Sequence, residues 1–251
     1  MPILGRHSST PLYRLVDTDS RHAVLTAEDL NGFFVESDSD ALSEITLTGV
    51  TRLGAKKREF EWMDLEVMAH DNHRIGSYNL SGVKLSLPFH GETGDKKSEA
   101  CSFSGYSYAF PKAGEIWQRW ASPDPLLVGE WSDLPDAYHS SWLHVVQTAW
   151  FTTPQHAAGH STQALAAING AKTSTPDGFY CALGEAVNGP GGYFGSNLDA
   201  LADCLSKSHA DGRIIRIEWS HFAESATSLG NGFTRRVLSV FDEFGLEVLC
   251  T

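Results

Sequence analysis

From about residue 12 to residue 110, apolar and polar positions alternate along the chain. In SGVKLSLPF, residues Val83, Leu85, Leu87 and Phe89 point to one side. In REFEWMDLEVM, the pair Phe60 and Trp62 and then the pair Leu65 and Val67 do the same, with one slip between them. GYSYAF adds Tyr106, Tyr108 and Phe110. Period-two patterning bounded by Gly, Asn, Asp and Ser predicts half-buried antiparallel strands. Residues 1–155 therefore read as a β-rich module, with an aromatic seam that continues through Trp117, Trp120 and Trp131.

The period then changes. DAYHSSWLHVVQTAW places Tyr138, Trp142, Val145, Val146 and Ala149 at helical spacing. TTPQHAAGHSTQ, residues 152–163, is small and polar and reads as a linker. Beyond it, QALAAING predicts a strand ending in a turn at Asn169-Gly170, and TPDGFYCALGEAV a helix started by Asp177. A second helix covers the 191–206 segment, GRIIRIEW is a short strand, NGFTRRVLSVFDEFG a helix stopped by Gly245, and LEVLCT a last strand. Strands interleaved with helices predict a small parallel sheet covered by helices over residues 156–251. The fold class expected is α+β in two domains, 1–155 and 156–251.

The stretch GGYFGSNLDALADCLS carries the distinctive chemistry. On a helical wheel Leu198, Leu201, Ala202 and Leu205 fall on the core side. Asp199 and Asp203 lie about 40° apart, away from that stripe, where like charges one turn apart cost a helix about 0.2–0.5 kcal/mol. Ser196-x-x-Asp199 fits a capping box, which gives Asp199 a local role; Asp203 lies too deep in the helix to share it. The preceding NGPGGYFG is not a phosphate cradle: it follows a helix, lacks a G-K-[ST] ending and leads into two carboxylates. Its glycines are expected to permit a tight connection at positive φ.

Composition narrows the classes. The net charge is −12, and neither half is basic, since residues 168–251 hold six Lys/Arg against ten Asp/Glu. This excludes the cationic footprint of a nucleic-acid binder and suits a basic protein partner. Cys101, Cys181, Cys204 and Cys250 show no C-x-x-C spacing and are expected as free buried thiols. MPILGRHSSTPLYRLVD lacks the apolar run of a signal peptide, and no stretch has the roughly eighteen apolar residues of a membrane span, so a cytoplasmic location is expected. The pairs His70/His73 and His156/His160 have no third ligand at a convincing spacing and read as surface or linker histidines. No metal, cofactor or nucleophile motif is expected.

The C-terminal segments, taken in order, resemble the barstar family of ribonuclease inhibitors. The resemblance is carried by ING (168–170), YFGSNLDALADCL (193–205), IEW (217–219) and VFDEF (240–244), and covers residues 168–251; residues 1–155 resemble no family. It implies a non-catalytic inhibitor, of immunity or antitoxin type, that plugs a basic ribonuclease with an acidic helix and the loop before it. By the same resemblance Tyr193 is the loop aromatic at the enzyme's mouth and Asn197 the helix-start position. Asp199 and Asp203 face the enzyme's cations, Asp203 standing where phosphate sits, and Glu243 is a peripheral acidic contact. The family's tryptophan between the acids is Ala202 here, and SKSHADG lacks the aromatic that usually follows the helix, so contact area is lost at both places. Cys204 matches a buried helix cysteine. Two alternatives stay open: an adaptor using this fold on another basic partner, or an enzyme with its active site in the N-terminal module.

Overall fold

The computed structural model describes residues 11–37, 42–53, 57–86, 99–153, 165–210 and 216–251. Leu87, Phe89, His156, His160 and most of the expected linker lie outside the described residues. The chain divides into two compact units, Met1–Asp124 and Pro125–Thr251.

The N-terminal unit is an antiparallel sheet of β1 (Tyr13–Asp17), β2 (Ala23–Ala27), β3 (Asp29–Asn31), β4 (Ser43–Arg52), β5 (Glu59–Met68), β6 (Arg74–Lys84) and β7 (Glu99–Gly105), followed by helix α1 (Ala113–Trp120). The order is β3-β4-β2-β1-β5-β6, with β7 also paired to β4. Ser86, just beyond β6, exchanges two backbone hydrogen bonds with Ser102 of β7, so the sheet folds back on itself. Leu15, Leu25, Ile45, Leu47, Leu65 and Val67 fill its core. Trp117 of α1 is fully buried and donates its indole N–H to the Tyr78 hydroxyl at 2.9 Å. Gly76 makes room for that ring, since a Cβ there would lie 2.6 Å from it. Glu66 is a buried carboxylate held between the guanidinium groups of Arg14 and Arg74.

Two strand expectations need correction. β5 pairs with β6 in unbroken register from Glu59 to Val67, so there is no slip. Phe60 and Trp62 therefore share the face opposite to Met63, Leu65 and Val67, and Trp62 is 45% exposed. β7 also ends at Gly105, leaving exposed Tyr106 outside the ladder and Tyr108 in a single bridge with Phe34.

The C-terminal unit contains α2 (His139–Thr152), β8 (Leu165–Asn169), α3 (Pro176–Asn188), α4 (Leu198–Ala210), β9 (Arg216–Ser220), α5 (Phe222–Leu229), α6 (Asn231–Glu243) and β10 (Glu247–Cys250). Its three strands are parallel in the order β10-β9-β8. Ile217 and Trp219 of the central strand are fully buried, and Phe179 of α3 lies 5.0 Å from the Trp219 ring, centroid to centroid. α6 ends in a Schellman turn: the Leu246 N–H donates to Phe241 O, the Gly245 N–H to Asp242 O, and Gly245 has φ +67°.

The division at Asp124/Pro125 lies ahead of the linker near 152–163 that the sequence points to. The reason is α2, whose buried Trp142, Val145, Val146 and Ala149 form a face and which packs against α3. Trp131 belongs to this unit too, 5.3 Å from the His139 ring. Cys101 and Cys181 are buried, whereas Cys204 is half-buried and Cys250 is exposed, because β10 is an edge strand. Among the described residues no helix is long and apolar enough to cross a membrane, and no group of three or more His, Cys, Asp or Glu is placed to hold a metal ion.

Candidate functional site

The acidic helix is held from both ends of the glycine-rich loop. α3 starts on Thr175, whose hydroxyl accepts the Gly178 N–H at 3.0 Å, with Pro176 at the first helical position. It ends where Gly189 and Gly191 take φ +80° and +70°. The loop then doubles back on α3 at van der Waals range. A Cβ on Gly184 would lie 2.2 Å from Gly192 O, and one on Gly192 would lie 2.7 Å from Gly184 O. Asn188 fixes the return by donating its side-chain amide to Tyr193 O at 2.7 Å. Gly195, at φ +96°, passes beside the backbone of Leu201, where a Cβ would come within 2.8 Å.

Asn197 starts α4. Its Oδ1 accepts the Ala200 N–H at 2.8 Å, and its carbonyl accepts the Leu201 N–H at 2.9 Å. This corrects the capping-box expectation: the cap is Asn197, and Ser196 instead approaches the Tyr193 hydroxyl at 3.4 Å. Asp199 still lies in the first turn, where the helix dipole favours a negative charge. Leu201 and Leu205 are buried as expected, while Leu198 and Ala202 are half-buried.

Asp199 and Asp203 are both exposed, and among the described residues neither has an ion-pair partner. Their fields are felt beneath them. Burial pushes the Tyr180 hydroxyl up to about 12, with Asp177 and Asp199 adding to the rise against Arg236. The Tyr193 hydroxyl is likewise raised, first by burial and then by Cys204 and Asp203, against the Ser196 hydrogen bond. Glu243, exposed in the last turn of α6, and its neighbour Asp242 sit at the negative end of that helix, a position the dipole disfavours. α4 packs against α6.

Tyr193 is 4% exposed, its ring 5.5 Å from Phe151 and 6.2 Å from Trp150 at the end of α2. Phe151 is 68% exposed and no local sequence signal marks it, because what it covers lies some forty positions further along the chain.

A capped helix, a loop pinned by backbone contacts and two exposed carboxylates on one face, neither ion-paired among the described residues, make an anionic surface. Residues 163–248 match the family model of Barstar (barnase inhibitor). The C-terminal unit contains a Barstar domain. The match spans β8, α3, α4, β9, α5, α6 and the first half of β10, and with them Tyr193, Asn197, Asp199, Asp203 and Glu243. It leaves out α2 and the whole N-terminal unit, for which no family model matches. No curated protein matches the chain.

Proposed function

We propose that the Barstar domain binds a basic ribonuclease and blocks its active site, as a non-catalytic inhibitor of immunity or antitoxin type. The coarser role, protein binding of the barnase-inhibitor kind, rests on the family match. The finer reading rests on Asp199 and Asp203, exposed and without an ion pair among the described residues, on a helix that Asn197 caps and the glycine loop abuts. A ribonuclease gathers cations to bind RNA phosphates, and two carboxylates on an already folded helix present the complementary potential without the cost of ordering a backbone segment. In this reading Asn197 sets the helix start, Asp203 occupies the phosphate position, Asp199 pairs with a second cation, and Glu243 adds a peripheral charge. Tyr193 supports the loop from beneath.

The test is titration of the full chain into basic ribonucleases, barnase among them, with RNA cleavage as the readout. Stoichiometric inhibition that weakens as salt rises from about 50 to 500 mM is the expected outcome. Unimpaired cleavage by every enzyme at micromolar chain would overturn the reading.

A further inference from the structure

Asn188 is the last residue of α3 and meets the glycine-rich loop at two points. Its side-chain amide donates to Tyr193 O at 2.7 Å, and a Cβ on Gly192 would lie 2.6 Å from the Asn188 Cβ. Only the amide nitrogen can face a carbonyl oxygen, so this bond fixes which way the side chain points. The other end of the amide is left over: Asn188 Oδ1 is buried and accepts no hydrogen bond among the described residues. A buried acceptor without a partner offsets most of what one hydrogen bond contributes. Leucine has the same branched skeleton, a higher helix propensity and no such leftover atom, so stability alone does not favour asparagine here. What asparagine supplies and leucine cannot is a fixed place for the Tyr193 carbonyl.

That place is passed on to the acidic helix by contacts along residues 193–197. The Tyr193 hydroxyl approaches Ser196 Oγ at 3.4 Å. Gly195 passes beside the backbone of Leu201, and Asn197 accepts the Ala200 and Leu201 N–H groups. The start of α4, with Asp199 in its first turn, is thereby referenced to the end of α3. We infer that Asn188 is a positioning residue of the inhibitor, holding the loop and the start of α4 in the partner-ready arrangement before the partner arrives. The inference rests on the inhibitor reading above. Preformed geometry spares association an ordering step, so a chain without this anchor binds less tightly in proportion to the fraction still correctly arranged. One hydrogen bond sets the scale at about tenfold.

The experiment compares full-length parent, Asn188→Leu and Asp203→Ala against the tightest-binding member of a panel of basic ribonucleases that includes barnase, by affinity at two salt concentrations. Amide hydrogen exchange is measured on the free parent and Asn188→Leu. A methyl group cannot approach a carbonyl oxygen to 2.7 Å, so Asn188→Leu leaves the loop unanchored. It is expected to bind about tenfold more weakly with the parent's salt dependence, since no charge has changed. The Gly192, Ala200 and Leu201 amides, bonded to Gly189 O and to Asn197, should exchange about tenfold faster while those of β9 keep the parent's rates. A merely structural role would speed both groups by one factor; that result, even in a variant that melts early, would overturn the inference. Unchanged loop amides would overturn it too. Binding within twofold of the parent while Asp203→Ala is weakened would do the same and leave the inhibitor reading standing. No binding by the parent, or none lost in Asp203→Ala, would remove that reading and this inference with it.

Discussion

Asp203→Ala should make the free protein more stable and the inhibitor worse. Asp203 is exposed in the second turn of α4, and no ion pair to it is found among the described residues. Alanine is favoured over aspartate in a helix interior by about 0.5–0.7 kcal/mol. Loss of the repulsion from Asp199, one turn earlier, adds about 0.2–0.5 kcal/mol. Together they amount to about 1 kcal/mol, or about 4 °C in Tm for a unit of this size. In a complex the same carboxylate would be desolvated against a cation. Truncating one partner of such a pair costs about 2–5 kcal/mol, a range that includes charge pairs of the barnase–barstar interface itself. Affinity should therefore fall at least about a hundredfold. Differential scanning calorimetry and isothermal titration on the same preparation read both effects. A variant that binds as tightly as the parent would show Asp203 to be an ordinary solvated acid. A Tm lowered by several degrees would show that the helix face is not free, and the argument from its lack of partners would fail.

Three further outcomes follow from the same geometry. Gly184→Ala would set a Cβ 2.2 Å from Gly192 O, so it should destabilise the C-terminal unit by about 2–3 kcal/mol, seen as a lower urea midpoint, and weaken inhibition by displacing the loop. Asn197→Ala should cost about 1 kcal/mol through loss of the Ala200 cap, whereas Asn197→Asp should recover most of it, both read from chemical denaturation. Burial holds His144 down at about 4, so folding favours its neutral form, and the unfolded chain takes up more protons between pH 6.5 and 4. That contribution is fully present above pH 6.5 and is lost as pH falls toward 4. His144→Asn should flatten the fall by up to about 3 kcal/mol across this window in urea melts against pH, and equal slopes for parent and variant would refute it.

What the sequence revealed is what local rules control. The alternation around Val83 and Leu85, the Gly245 stop and the glycines of the 189–195 loop each act on their immediate neighbours, and each was legible. Partnerships between distant segments were not. β4 pairs with β2, β3 and β7, and no residue in it names three neighbours. The face assignment of Phe60 and Trp62 depends on the register with β6, which is likewise non-local. Helix α5 was missed because it begins on His221 in the left-handed region, at φ +50°, without a side-chain cap; only Gly230 punctuates it. At the candidate site the acidic pair was visible as a helical pattern, and the choice of Asn197 over Ser196 as cap was a matter of one hydrogen bond between adjacent cap-forming residues. The burial of Tyr193 was hidden because its cover arrives from α2.

The strand order of the small parallel sheet also governs when a new chain becomes competent. The centre of the sheet is β9, where Trp219 is registered with Ile168 on one side and Cys250 on the other. Until residues 247–250 have been synthesised, that buried strand is an open edge, and α6, which packs against both α4 and β10, lacks the strand it lies on. The antiparallel ladder of the N-terminal unit, by contrast, has all its strands once the ribosome passes Gly105. At about 5–20 residues per second the two events are separated by roughly 7–30 s, during which a nascent chain displays a complete β unit but no assembled acidic face. A translation product cut short before Glu247 would keep every carboxylate of that face and lack the platform that aligns them.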